Sequence, residues 1–149
     1  MRIFSTAFVL ATLAVLTGCH RLEPSLPVPD TLRPVLEING SAWKLVEIAG
    51  TPVAEGSKAS LDFLDTGKPD SRVSGNASCN KFSGTAKIAG TSIQFGPLIS
   101  TKMACAAASL NAQEMEYLRA LQNAERWEMK DHTLAIYSKV SEKPLRFVQ

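Results

Sequence analysis

Three cysteines and two histidines are the residues of this 149-residue chain with the most distinctive chemistry, and their positions restrict what that chemistry can be. Cys19 follows an apolar run near the start, whereas Cys79 and Cys105 lie in the body of the chain. A thiol works as a nucleophile or a metal ligand only as its thiolate, which calls for a base, a cation or a metal beside it. His132 is the one histidine in the body of the chain, since His20 follows Cys19 directly. No Cys-x-x-Cys spacing occurs, so neither a zinc ribbon nor a dithiol redox motif is written here. On residue types alone, Cys79 and Cys105 are a disulfide, two buried free thiols, or a reactive or metal-binding pair helped by His132. His132 sits in the polar stretch Lys130-Asp131-His132-Thr133, which favours solvation over catalysis. Nor is there a phosphate-cradling glycine loop, a carboxylate pair at a telling spacing, or a nucleophile with a recognisable base. The expectation is a protein that is not an enzyme and carries no cofactor and no metal.

The N-terminus speaks to compartment. Arg2 is followed by an almost uncharged apolar run from Ile3 to Leu16, and then by Leu16-Thr17-Gly18-Cys19. That is the layout of an export signal, and the run is shorter than the roughly 18 to 20 residues a spanning helix needs. Thr17 and Gly18 are small enough to admit a peptidase, and the thiol of Cys19 can become a thioether to diacylglycerol. The four residues resemble the lipobox of bacterial lipoproteins; the alternative is an ordinary secretory signal with a cysteine behind it. The resemblance implies that residues 1–18 are removed and that Cys19 is lipidated, with enough acyl chains that release is negligible. It also implies sorting to the outer membrane, facing the periplasm, because His20 stands where an aspartate would favour inner-membrane retention.

Behind the cysteine, residues 19–38 read as a tether, and residues 39–149 as the domain it carries. Pro24, Pro27, Pro29 and Pro34 punctuate the tether and favour an extended chain of about 3.1 Å per residue. Removing the signal leaves 131 residues, which is one domain plus a linker. Its charge is nearly balanced, with 16 basic and 14 acidic residues in the whole chain, so no basic excess points to nucleic acid. The expected partners are the membrane, through the anchor, and an envelope protein or apolar ligand.

Within the domain the apolar period is mostly two. Trp43 to Ile48, then Leu61 with Phe63, Arg72 to Ser74, Phe82 to Ile88, Ile93 with Phe95, Trp127 with Met129, Leu134 with Ile136, and Leu145 with Phe147 give about eight strands. Gly75, Gly84, Gly90 and Gly96-Pro97 break the series. The segment between Gly75 and Gly84 reads as a tight hairpin in which Asn80 tolerates a left-handed turn. One segment has helical period instead: Asn111 can cap it, Glu114 can close a capping box, and Met115, Leu118 and Leu121 share one face. Glu116, Arg119 and Gln122 lie away from that stripe. The expected fold is α+β and β-rich: a partly closed antiparallel β-barrel or strongly curved sheet, with one helix packed across it.

The most specific residues are Gly75-Asn76-Ala77-Ser78-Cys79-Asn80-Lys81-Phe82-Ser83-Gly84 and Thr101-Lys102-Met103-Ala104-Cys105. Together they resemble the META domain of the heat-shock lipoprotein HslJ family, in which a glycine precedes a Cys-Asn pair, Phe and Gly follow it, and a Thr-x-Met-x-Cys element comes before the helix. Trp43-x-Leu45, the Glu114 to Leu121 helix, and the Leu134 and Phe147 strands also fit, so the resemblance spans about residues 41–149. It makes Gly75, Asn80, Phe82, Gly84, Thr101 and Met103 the family motif. In an oxidising periplasm an even pair of cysteines is most simply a disulfide, Cys79 to Cys105. The resemblance implies a role in envelope stress, associated with heat shock and with tolerance of a hydrophobic antibiotic. The alternative is a binding module like the pilotins of type III secretion, which would need an apolar groove lined by residues such as Trp43, Phe63 or Trp127.

Overall fold

The computed structural model describes residue 38 and residues 40–64 and 70–149; the expected signal, Cys19 and nearly all of the tether lie outside the described residues. Among these, ten strands and one helix follow in chain order: β1 (Ala42–Ile48), β2 (Thr51–Pro52), β3 (Ser60–Leu64), β4 (Asp70–Asn76), β5 (Lys81–Ala89), β6 (Ser92–Phe95), β7 (Ile99–Ser100), α1 (Ala108–Gln122), β8 (Ala124–Lys130), β9 (Thr133–Ser138) and β10 (Ser141–Val148). The helix α1 is not long and apolar enough to cross a membrane.

Eight strands pair antiparallel in the circuit β1–β3–β4–β5–β6–β8–β9–β10, and β10 returns to β1, so the sheet is a closed barrel. Closure leaves the long strands without a free edge. The short β2 adds to β1 outside the circuit and β7 adds to β5. Strand alternation decides what faces inward: Trp43 and Leu45, Leu61 and Phe63, Val73, Phe82 and Ala86, Ile93, Leu134 and Ile136, and Leu145 and Phe147 are all buried. Where the sequence breaks that period, the ladder bulges. A register shift between Leu45 and Glu47 lets Ile48 turn inward three residues after Leu45, and another between Ala124 and Arg126 does the same for Trp127.

Tight turns join neighbouring strands. Ala49 and Gly50 between β1 and β2, and Asp131 and His132 between β8 and β9, all have positive φ, as two-residue hairpin loops require. His132 is therefore an exposed turn residue.

The helix departs from expectation. It begins at Ala108, with Ala107 as its N-cap and no side-chain cap, so Asn111 and Glu114 do not form a capping box. Its buried face is Gln113, Glu114, Tyr117, Ala120 and Leu121, while Met115 is 62% exposed. The stripe Leu110, Glu114, Tyr117, Leu121 has helical spacing as good as that of Met115, Leu118 and Leu121. The aromatic ring of Tyr117 decides between the two. It packs edge-on to Phe82, with ring centroids 5.9 Å apart, and lies 6.1 Å from Phe147, closing the core from the helix side.

Candidate functional site

The two cysteine motifs converge beside the N-terminal half of α1. The β4–β5 hairpin turns through Ala77 to Asn80, with the Ala77 amide donating to the Asn80 carbonyl at 2.7 Å. The positive φ in this turn belongs to Ser78, at 132°, and not to Asn80. Gly75 and Gly84 are strand residues without positive φ whose missing side chains make room. A Cβ on Gly75 would lie 2.1 Å from the Ser60 carbonyl oxygen and 2.8 Å from the Phe82 ring, and one on Gly84 would lie 2.8 Å from the Pro97 carbonyl oxygen.

Asn80 is the centre of the site. Its amide nitrogen donates to the Met103 carbonyl at 3.1 Å and to Glu114 Oε1 at 2.6 Å. Its amide oxygen accepts from the Thr101 hydroxyl at 2.8 Å and from the Met103 backbone N–H at 2.6 Å. Two donors and two acceptor sites are all used, in a side chain only 3% exposed. An aspartate there would lose both donors and set a second negative charge against Glu114. Thr101 is held on its other side by β5, its hydroxyl accepting from the Lys81 amide at 3.2 Å and its own amide donating to the Lys81 carbonyl at 3.0 Å. Met103 contributes through its backbone; its side chain is 60% exposed.

Glu114 reaches the hairpin from the helix. Besides the Asn80 side chain, its Oε2 accepts the backbone amides of Cys79 at 3.1 Å and Asn80 at 2.9 Å. Gln113 continues the seam, donating to Ser57 Oγ and Ser78 Oγ at 2.7 Å each and accepting the Ala54 amide at 2.5 Å. The covalent link lies alongside: Cys79 and Cys105 form a disulfide, with Cα atoms 5.5 Å apart. Both sulfurs and a Glu114 carboxylate oxygen lie within 4.8 Å of one another, so the acidic group beside the cysteines is Glu114, and among the described residues no histidine joins them.

Deeper in, Tyr117 donates its hydroxyl to the Ser60 carbonyl at 3.1 Å. Burial pushes its phenol well above the usual range, and the charge of Asp62 adds to the shift. Partial burial also raises Asp62.

The structure thus brings together six expected positions, Cys79, Asn80, Phe82, Thr101, Met103 and Cys105, and adds Glu114, Gln113 and Tyr117. Glu114 had a legible signal, a carboxylate on the stripe Leu110, Tyr117, Leu121, that the capping pattern obscured. Cys19 lies outside the described residues. Trp43, Phe63 and Trp127 are each 1% exposed and fill the barrel, so none of them lines a groove. A buried polar seam in which every side-chain valence of Asn80 is filled, with a disulfide across it, joins the β4–β5 hairpin, the strap of residues 101–105 and α1; among the described residues no nucleophile with a base stands in it.

Residues 36–149 match the family profile of the META domain. No curated protein matches the chain. Solved structures do. An NMR structure of a protein from Burkholderia xenovorans is 22% identical, with 85% of this chain and 92% of that one covered and a TM-score of 0.61. A second NMR structure is 21% identical, covering 76% of this chain and 92% of that one, with a TM-score of 0.61. A crystal structure of a DUF4847 family protein from Bacteroides vulgatus is 14% identical, covering 76% and 96%, with a TM-score of 0.51. At these identities the likeness is one of fold.

Proposed function

The chain belongs to the META domain family, and on that premise we propose that it is an HslJ-like envelope lipoprotein, held at the outer membrane by Cys19 and acting without catalysis in tolerance of heat and hydrophobic antibiotics. The observation that carries this reading is the Cys79–Cys105 disulfide, which joins the two most diagnostic motifs. Such bridges belong to chains that fold in an oxidising compartment, and Leu16-Thr17-Gly18-Cys19 supplies the export route and the anchor. The saturated seam around Asn80 supports a scaffold over an enzyme. The aromatic filling of the barrel favours this role over a pilotin-like binder, whose apolar tail would need the space that Trp43, Phe63 and Trp127 occupy.

The test is a deletion strain challenged with heat or a hydrophobic antibiotic and complemented by wild type or by Cys19→Ser. Wild type should restore survival and incorporate a fatty-acid analogue, and Cys19→Ser should do neither. Label in the serine variant, or equal rescue by an unlabelled one, would contradict the anchored role.

A further inference from the structure

The two sulfurs and the carboxylate that meet at the seam are of types that can ligate a metal. We propose a redox-gated metal site: when the Cys79–Cys105 bridge is reduced, both thiolates and Glu114 bind a single thiophilic divalent cation of the Zn2+ class, with water as fourth ligand. Two sulfurs and one oxygen donor suit such an ion, and three protein ligands leave one position open.

The geometry needs little change. All three donor atoms already lie within 4.8 Å of one another. A tetrahedral ion with metal–sulfur bonds of about 2.3 Å holds its two sulfurs about 3.8 Å apart. A bonded pair is closer than this, so the bridge must be broken before an ion can sit between the sulfurs. The Cα atoms are 5.5 Å apart, and rotation about the two Cα–Cβ bonds is the motion that the proposal requires.

Breaking the bridge does not release its ends. Asn80 still ties Thr101 and Met103 to the hairpin, two residues before Cys105, and Glu114 still holds the amides of Cys79 and Asn80. A carboxylate offers about four acceptor sites. Three of those on Glu114 are used, leaving one for a metal, and the three hydrogen bonds become the outer shell that orients the ligand. Cys79 and Cys105 are partly exposed while Glu114 is buried, so an ion enters from solvent and keeps a water on that side.

The two states exclude each other. Reduction consumes one dithiol: two electrons enter the S–S bond, two protons pass to the sulfurs of Cys79 and Cys105, and the reductant leaves as a disulfide. Binding then expels two protons per ion, one from each thiol.

The experiment uses the full chain in detergent, carrying Cys19→Ser so that Cys79 and Cys105 are its only thiols, with Cd2+ as probe. The reduced protein should take up one Cd2+ with a sulfur-to-metal charge-transfer band and release two protons, and the oxidised protein should show neither. Cys79→Ser and Cys105→Ser should each remove about half of the band. Glu114→Gln should weaken binding at least tenfold. X-ray absorption of the Zn2+-loaded parent, which does not depend on the folding of any Glu114 variant, should find two sulfur and two lighter scatterers. Absence of the band on reduction, equal uptake by oxidised protein, or a sulfur-only coordination shell would overturn the proposal.

Discussion

Glu114 is the residue on which the polar seam turns, because one buried carboxylate satisfies two backbone amides and a side-chain amide of the β4–β5 hairpin. Hydrogen bonds to a charged group contribute about 1.5 to 3 kcal/mol each, and an amide left buried without an acceptor costs about 1 to 3 kcal/mol. Glu114→Gln removes the charge and turns an NH2 group toward donors, so a loss of about 2 to 4 kcal/mol follows. Urea unfolding of the oxidised protein measures it; a loss below about 1 kcal/mol would show that the seam does not depend on the carboxylate. The surface ion pairs make a useful contrast. Lys139 with Glu125 and Arg126 with Glu128, each at 3.4 Å, are more than half exposed, and exposed pairs of this kind contribute little.

At the scale of the element, α1 acts as a lid whose underside is half polar. Gln113 and Glu114 secure its first half to the hairpin and strap, while Tyr117, Ala120 and Leu121 bury the rest against the barrel. Tyr117 makes that contact pH-dependent. In the unfolded chain it releases its proton near pH 10, whereas the folded protein holds it to a higher pH, so above about pH 10 unfolding releases a proton and stability falls as pH rises. Below that pH both states keep the proton and the contribution is intact. Tyr117→Phe should therefore cost about 1 kcal/mol near neutrality, through the lost bond to Ser60, and flatten the alkaline decline. Unfolding curves from about pH 8 to 11 decide it; parallel declines in both proteins would place the alkaline sensitivity elsewhere.

For the whole molecule, the disulfide closes a loop of 26 residues that contains two strand pairings and the strap. The loop-entropy relation assigns it about 3.5 kcal/mol, less any native strain. The closed ladder and the Asn80 network do not depend on that bond, so the double variant Cys79→Ser, Cys105→Ser should lose about 2 to 4 kcal/mol and still fold. Chemical unfolding with circular dichroism reads both outcomes. Intact mass of periplasm-derived protein before reduction should show no alkylated thiol at Cys79 or Cys105. Alkylation of both, or a double variant without native circular dichroism, would contradict this account of the bridge.

Local pattern by itself determined the eight barrel strands, because inward and outward side chains must alternate in a half-buried sheet, and Leu61 with Phe63 or Leu134 with Ile136 record that alternation directly. It also marked the hairpin between Gly75 and Gly84 and the cysteine pair. Closure was not local: a curved sheet and a barrel share the same alternation, and only the pairing of β10 with β1 distinguishes them. The two-residue strands β2 and β7 are too short to carry a period. The helix face was decided by tertiary structure for a different reason, since two stripes compete on α1 and only the partners waiting at Asn80, Phe82 and Ser60 make it favourable to bury Glu114 and Tyr117 and expose Met115. The roles of Asn80, Thr101 and Met103 likewise became visible only when hairpin, strap and helix met, because a buried amide's value lies in partners that are distant along the chain.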